Sequence, residues 1–207
     1  MKKARPIVMV SSSVYGQESL LDSIYQLLEQ FGYRVFMSHK GTFPTDPRLN
    51  TVENCLKAVQ QCDFFLGIIS TNYGTTKGKN ELSVTHEEIK TAIKCCKPCW
   101  FVVHEHVVFA KKFLAQLGFK SAFGRKELFA RFESKPFFTD LRLIDMYDLA
   151  TRRRKESGIT RVSWVQEYNR DEDVRQFVSA QFSNNEAIER MLSEADEAIK
   201  TPEGDEE

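Results

Sequence analysis

Short unbroken apolar runs alternate along this chain with apolar residues at helical spacing. Ile7-Val8-Met9-Val10 is the first run, and it gives way at once to Ser11-Ser12-Ser13. A run of that length ending in polar residues predicts a buried strand followed by a loop. Leu20, Leu21, Ile24, Leu27, Leu28 and Phe31 then recur at helical intervals, and Gly32 is a stop signal. Arg34-Val35-Phe36-Met37-Ser38 reads as a second strand, after which Pro44 and Pro47 impose a loop. Val52, Cys55, Leu56 and Val59 mark a second helix. Phe64-Phe65-Leu66-Gly67-Ile68-Ile69 is the most apolar run, which predicts a central strand covered on both faces.

A polar segment from Gly74 to Leu82 leads into a helix from Thr85 that carries Ile89, Ala92, Ile93 and Cys96 inward. Cys99-Trp100-Phe101-Val102-Val103 is the fourth strand, and Val107 to Leu117 the next helix. The stretch 118–158 is rich in phenylalanine (Phe119, Phe123, Phe129, Phe132, Phe137, Phe138) and reads as a helical insertion. Within it Leu141, Leu143, Ile144, Met146 and Leu149 predict a helix ending at Arg152-Arg153-Arg154-Lys155, where cations suit the helix dipole. The last strand is expected over Val162 to Tyr168 and a closing helix over Asp171 to Phe182. An amphipathic helix is expected within 183–200, through Ile188, Met191, Leu192, Ala195 and Ile199. The acidic residues 201–207 read as a disordered tail.

Strands alternating with helices predict an α/β fold with a mostly parallel sheet and helices on both faces. Residues 1–182 form one such domain. With five strands the simplest arrangement is flavodoxin-like, in the order 2-1-3-4-5. Ligands in such sheets sit beyond the carboxyl ends of the strands, at the switch point between strands one and three.

Composition narrows the function classes. Lysine plus arginine balance aspartate plus glutamate at 29 each, so no global field draws the chain to nucleic acid or an anionic membrane. No apolar run is long enough to span a bilayer, and Ile7 to Val10 is too short for a signal-peptide core, which predicts a cytoplasmic protein. The five cysteines read as small buried hydrophobes. Cys95-Cys96-Lys97-Pro98-Cys99 has no second ligand pair, so no metal is expected. His104, Glu105 and His106 alternate in direction if extended, and read as a solvated strand end.

Candidate chemistry gathers at the strand ends. Ser11, Ser12 and Ser13 would meet Ser70, Asn72 and Tyr73 at the switch point, with Ser38 ending the neighbouring strand. The chain has neither a Gly-x-Gly-x-x-Gly nor a Gly-Lys-Ser/Thr motif, which excludes the usual dinucleotide fold and the P-loop. The serines suit a phosphate or ribose, or else cap the helix that starts near Gln17. Tyr73-Gly74 suits an aromatic face for a base, or else a turn. Thr85-x-x-Glu88 is a capping box, with Val84 and Ile89 as its hydrophobic staple. That reading accounts for the local sequence, but it also leaves a carboxylate beside the crevice. Capping and chemistry are compatible, and both stay open. His39 and His86 have no catalytic-triad spacing.

Ile7 to Ser13, Cys62 to Ile69, Asn72-Tyr73-Gly74, Ser83 to Glu88, Lys97-Pro98 and Ser163 to Gln166 together resemble a bacterial domain-of-unknown-function family. Its fold is similar to that of TIR domains and nucleoside deoxyribosyltransferases. TIR enzymes cleave the nicotinamide–ribose bond of NAD with a glutamate on the helix after strand three. Nucleoside deoxyribosyltransferases use a helix-borne glutamate as nucleophile on the sugar. The resemblance therefore implies Glu88 as catalytic carboxylate and Ser11, Ser12, Ser13, Ser38, Ser70, Asn72 and Tyr73 as ligand contacts. It implies a nucleotide or nucleoside as partner, no cofactor (NAD entering as substrate), and a place in bacterial stress or phage-defence signalling. Other TIR-like domains act as assembly modules, which implies self-association or a partner protein instead.

Overall fold

The first apolar runs become parallel strands because each is too short and too continuous to serve as an amphipathic helix. In chain order they are β1 (Ile7–Ser12), β2 (Arg34–Phe36), β3 (Phe64–Ile69) and β4 (Cys99–His104). Two short strands, β5 (Arg154–Glu156) and β6 (Ile159–Arg161), pair antiparallel as a separate hairpin, and β7 (Trp164–Tyr168) returns to the main sheet. That sheet is ordered β2-β1-β3-β4-β7 with every pairing parallel. Ranked within the sheet alone, this is the flavodoxin-like order 2-1-3-4-5. The computed structural model describes residues 5–190, except 77, 79, 80, 132–137, 139, 153, 157, 158, 162, 185 and 189.

The pleat divides the core. Met9, Phe65 and Cys99 are in register and face one layer, while Val10, Leu66 and Trp100 face the other. Helices α1 (Glu18–Gln30) and α7 (Asp171–Phe182) cover the second face with Leu20, Ile24, Leu28, Val174, Val178 and Phe182. The first face carries α2 (Thr51–Gln61), α3 (Val84–Lys94), α4 (Glu105–Gln116) and α6 (Arg142–Thr151). All six residues of β3 are buried, as a strand covered on both sides requires. Gly67 at its centre leaves room for a ring: an added Cβ would lie 2.6 Å from the Phe101 side chain.

The insertion is less helical than its sequence suggests. It holds a short α5 (Ala122–Phe129) and α6, but α6 stops at Thr151 and Arg152 is extended. Arg154 and Lys155 lie in β5 instead of a helix C-terminus. The apolar period of α6 ends at Leu149 and Ala150, and past that point a helix would have no inward face to bury. The Arg125 side chain docks α5 on α6, donating to Asp145, to Asp148 at 2.9 Å and to the Lys120 carbonyl at 2.7 Å.

Cys55, Cys62 and Cys99 are buried, but Cys95 is exposed and Cys96 half-buried at the turn leaving α3, so the buried-filler reading holds for three of the five. Phe132, Phe137, Arg153 and Val162 lie outside the described residues, as do most of the helix expected to Lys200 and the acidic tail. No helix among the described residues is long and apolar enough to cross a membrane.

Candidate functional site

A cavity of about 930 Å³ opens beyond the carboxyl ends of β1 and β3, at the switch point of the sheet. The loop after β1 supplies Ser12, Ser13, Val14 and Tyr15, and the start of α1 adds Glu18. Ser38 enters from the turn after β2. Asn50 is the N-cap of α2, and Thr51, Val52 and Cys55 come from its N-terminal half. Asn72, Gly74, Thr75 and Thr76 come from the loop between β3 and α3. Val84, Thr85 and Glu88 complete the wall from α3. The lining is rich in hydroxyls, which both donate and accept as a sugar demands.

Glu88 is 3% exposed, and its place follows from how α3 begins. Ser83 is the N-cap: its backbone is extended (φ −68°, ψ 157°) and its Oγ accepts from the His86 amide at 3.3 Å. The capping box expected at Thr85 does not form, because Thr85 already lies in the first helical turn. Glu88, one turn further on, points at the sheet and away from its own backbone. The Ser11 hydroxyl donates to Glu88 Oε2. Glu88 Oε1 has no hydrogen-bond partner among the described residues. The Cys55 thiol lies beside the same carboxyl from α2.

Burial pushes the Glu88 carboxyl up to about 7, with the Ser11 hydroxyl and the Cys55 thiol pulling the other way. Burial, reinforced by the neighbouring carboxylate, pushes the Cys55 thiol up to about 12, so it stays protonated. A carboxyl poised near neutrality can hold or release a proton under ordinary conditions. Once ionised in a poorly solvated floor, it acts on nearby positive charge far more strongly than it would in water.

Other side chains brace the walls. Ser13 Oγ meets Ser70 Oγ at 3.0 Å and ties the ends of β1 and β3 together. Asn72 Oδ1 accepts from the Gly74 amide at 2.9 Å, and Gly74 has φ 84°. Tyr73 is buried: its hydroxyl lies 2.8 Å from His86 Nδ1, and the Arg142 guanidinium sits 4.5 Å from its ring centroid. Burial pushes His86 down to about 4, so its imidazole is neutral at pH 7. Arg142 also donates to Asp140 at 2.9 and 2.7 Å and to the Glu81 carbonyl at 2.6 Å. The start of α6 thus holds the loop that walls the cavity. No three His, Cys, Asp or Glu side chains among the described residues form a metal-binding group.

The sequence matches the domain of unknown function DUF4062 over residues 7–195, a span that includes every element from β1 to α7. The chain belongs to the DUF4062 family. No curated protein matches it. Among solved structures, the CMP N-glycosidase BcmB of Clostridium botulinum is similar over 84% of this DUF4062 chain and 98% of its own, at 16% identity and a TM-score of 0.44. A likeness of that degree carries no chemistry from one chain to the other.

Within the DUF4062 domain, Ser12, Ser13, Ser38, Asn72 and Glu88 line the cavity as the sequence reading places them. Ser11 reaches it only through Glu88, and Ser70 through Ser13. Tyr73 does not line it, because its ring is packed beneath Arg142. Sequence reasoning missed Tyr15, Thr51, Cys55, Thr75 and Thr76. Four of them sit in loops or at a helix start, where no period marks a side chain as inward. Cys55 does have a helical period, which marks it as core without showing that the core ends there in a cavity.

Proposed function

We propose that this DUF4062 domain binds a nucleotide or nucleoside and cleaves its N-glycosidic bond, with NAD or a related nucleotide as substrate and Glu88 as the catalytic carboxylate. The observation that supports it is a buried carboxyl, shifted to about 7 and with one oxygen unbonded, at the edge of a hydroxyl-lined cavity. Breaking the bond between the sugar and the base nitrogen sends the electron pair to the base and leaves positive charge on the ribose. Ionised Glu88 stabilises that charge or attacks the anomeric carbon. Water then delivers hydroxide to the sugar; its proton goes to solvent when neutral nicotinamide leaves NAD, and to the base when the base leaves a neutral glycosidic nitrogen. Ser12, Ser13 and Thr85 are placed to bond ribose hydroxyls. Thr51 and Val52, at the N-terminus of α2, offer backbone amides that suit a phosphate. A cavity of about 930 Å³ is at the upper end of small-molecule sites, which favours a dinucleotide over the lone nucleoside of a deoxyribosyltransferase-like reaction. A role in bacterial stress or phage-defence signalling rests on the family resemblance alone.

The test is turnover of a nucleotide panel by wild type, Glu88→Gln and Glu88→Ala, with base release followed by chromatography. Release by wild type and none by Glu88→Gln at an undiminished melting temperature supports the reading. Release by Glu88→Gln at the wild-type rate removes Glu88 from the chemistry.

A second reading, a non-catalytic assembly module, is favoured by the exposed and stacked Phe109 and Phe113 of α4 (centroids 5.8 Å apart) and the exposed Phe123 of α5. Sedimentation of wild type and Phe109→Ser/Phe113→Ser would expose it: the variant would lose an oligomer that wild type forms.

A further inference from the structure

We infer that Tyr15 is the base-stacking platform of this cavity, and that its ligands carry a flat aromatic base on the sugar. The inference rests on the proposed nucleotide reading and names the group within it that engages the base.

Tyr15 lines the cavity, yet it is 83% exposed. A tyrosine left in water contributes little to the fold, whereas one standing at a cavity mouth presents a π-face to whatever enters. Among the described residues it is the one aromatic side chain in the lining. The other aromatic near the strand ends, Tyr73, is committed to His86 and Arg142.

The local backbone is shaped to present this ring. The Gln17 amide donates to the Val14 carbonyl at 2.9 Å, which closes a tight turn with Tyr15 and Gly16 at its corners. Gly16 has φ 75°, and a Cβ added there would meet nothing within 4 Å. Glycine is therefore required by the turn itself and not by a neighbour. That turn fixes Tyr15 at the rim while β1, immediately before it, carries Ser11 to Glu88. A sugar held beside Glu88 on the floor directs its base toward the mouth, where Tyr15 stands. Stacking of this kind tolerates purines and pyrimidines alike, since every base has a π-face.

The experiment measures binding of AMP and of ribose 5-phosphate by calorimetry. It uses Glu88→Gln, in which the glycosidic bond survives, together with its Tyr15→Ala and Tyr15→Phe derivatives. Tyr15 is exposed, so the derivatives should melt where their parent does. The expected result is AMP affinity about tenfold weaker for Tyr15→Ala, within twofold for Tyr15→Phe, and unchanged ribose 5-phosphate affinity in all three. AMP binding unaltered by Tyr15→Ala overturns this inference and leaves the proposed function standing. Equal loss for AMP and ribose 5-phosphate also overturns it, since the loop would then matter for shape and not for stacking. No AMP binding by either Glu88→Gln or wild type overturns this inference, while the proposed function stands or falls on the turnover panel.

Discussion

The hydroxyl of Ser11, at the end of β1, donates to the Glu88 carboxylate on α3 across 77 positions of sequence. This bond is stronger to the ionised acid than to the neutral one, so it opposes the upward push of burial. If ionised Glu88 is the working form, activity rises with pH through about 7. Ser11→Ala removes the opposing bond and should move that rising limb upward by about one unit. The kcat/KM profile of the two proteins measures this. Coincident limbs would separate Glu88 from the rate.

The same carboxyl predicts a stability that depends on pH in an unusual direction. Below the ordinary value of 4.5 it is protonated in both the folded and unfolded chain and contributes nothing. Between 4.5 and about 7 the unfolded chain releases the proton while the folded chain keeps it, so stability falls as pH rises. Above that window the full penalty applies, on the order of 3 kcal/mol. Glu88→Gln should therefore be more stable than wild type at pH 8 and match it near pH 4. Urea unfolding at both values would show it, and a variant less stable at pH 8 would contradict it.

Ser83 and Thr85 compete on paper for the start of α3, and the structure gives the cap to Ser83. Ser83→Ala should lower stability by about 1 kcal/mol and Thr85→Ala by less. Chemical denaturation ranks the two. The reverse order would place the helix start where sequence alone puts it.

Gly67 and Phe101 share one space across β3 and β4. Gly67→Ala should destabilise by about 1–3 kcal/mol through overpacking. Combined with Phe101→Leu it should cost less than the sum of the two single changes, by about 1 kcal/mol in a double-mutant cycle. Strict additivity would mean that the two sites do not touch.

Arg142 holds the cavity wall from outside the main sheet. Arg142→Ala removes the donor to the Glu81 carbonyl and the cation over Tyr73. Amide hydrogen exchange should quicken at Gly74 and from 81 to 83, with that of β3 unchanged. Unchanged exchange in the loop would show that the insertion does not brace it.

Much of this was legible in the sequence, and the rest was hidden for identifiable reasons. Apolar runs such as Phe64 to Ile69 identify the strands, and their alternation with helices implies a parallel sheet whose simplest order, 2-1-3-4-5, is the one observed. The sequence puts Glu88 on the helix beside the crevice, and the structure has it in the cavity wall, but the capping box that Thr85 suggests does not form. Thr85-x-x-Glu88 satisfies a local rule, while the competing cap at Ser83 and the long-range bond from Ser11 belong to tertiary structure. Tyr15-Gly16 and Tyr73-Gly74 are identical dipeptides after neighbouring strands, each with a left-handed glycine. One ring stands in water and the other lies under Arg142, a difference made by a residue about 70 positions further along the chain than Tyr73. The β5–β6 hairpin went unread because Arg154–Glu156 and Ile159–Arg161 show no apolar alternation.

Arg142 grips residue 81 by its main-chain oxygen. Every amino acid carries that atom. The side chain at 81 can therefore change without loosening that grip, and the loop that carries Asn72 and Thr75 into the cavity wall stays tied to α6.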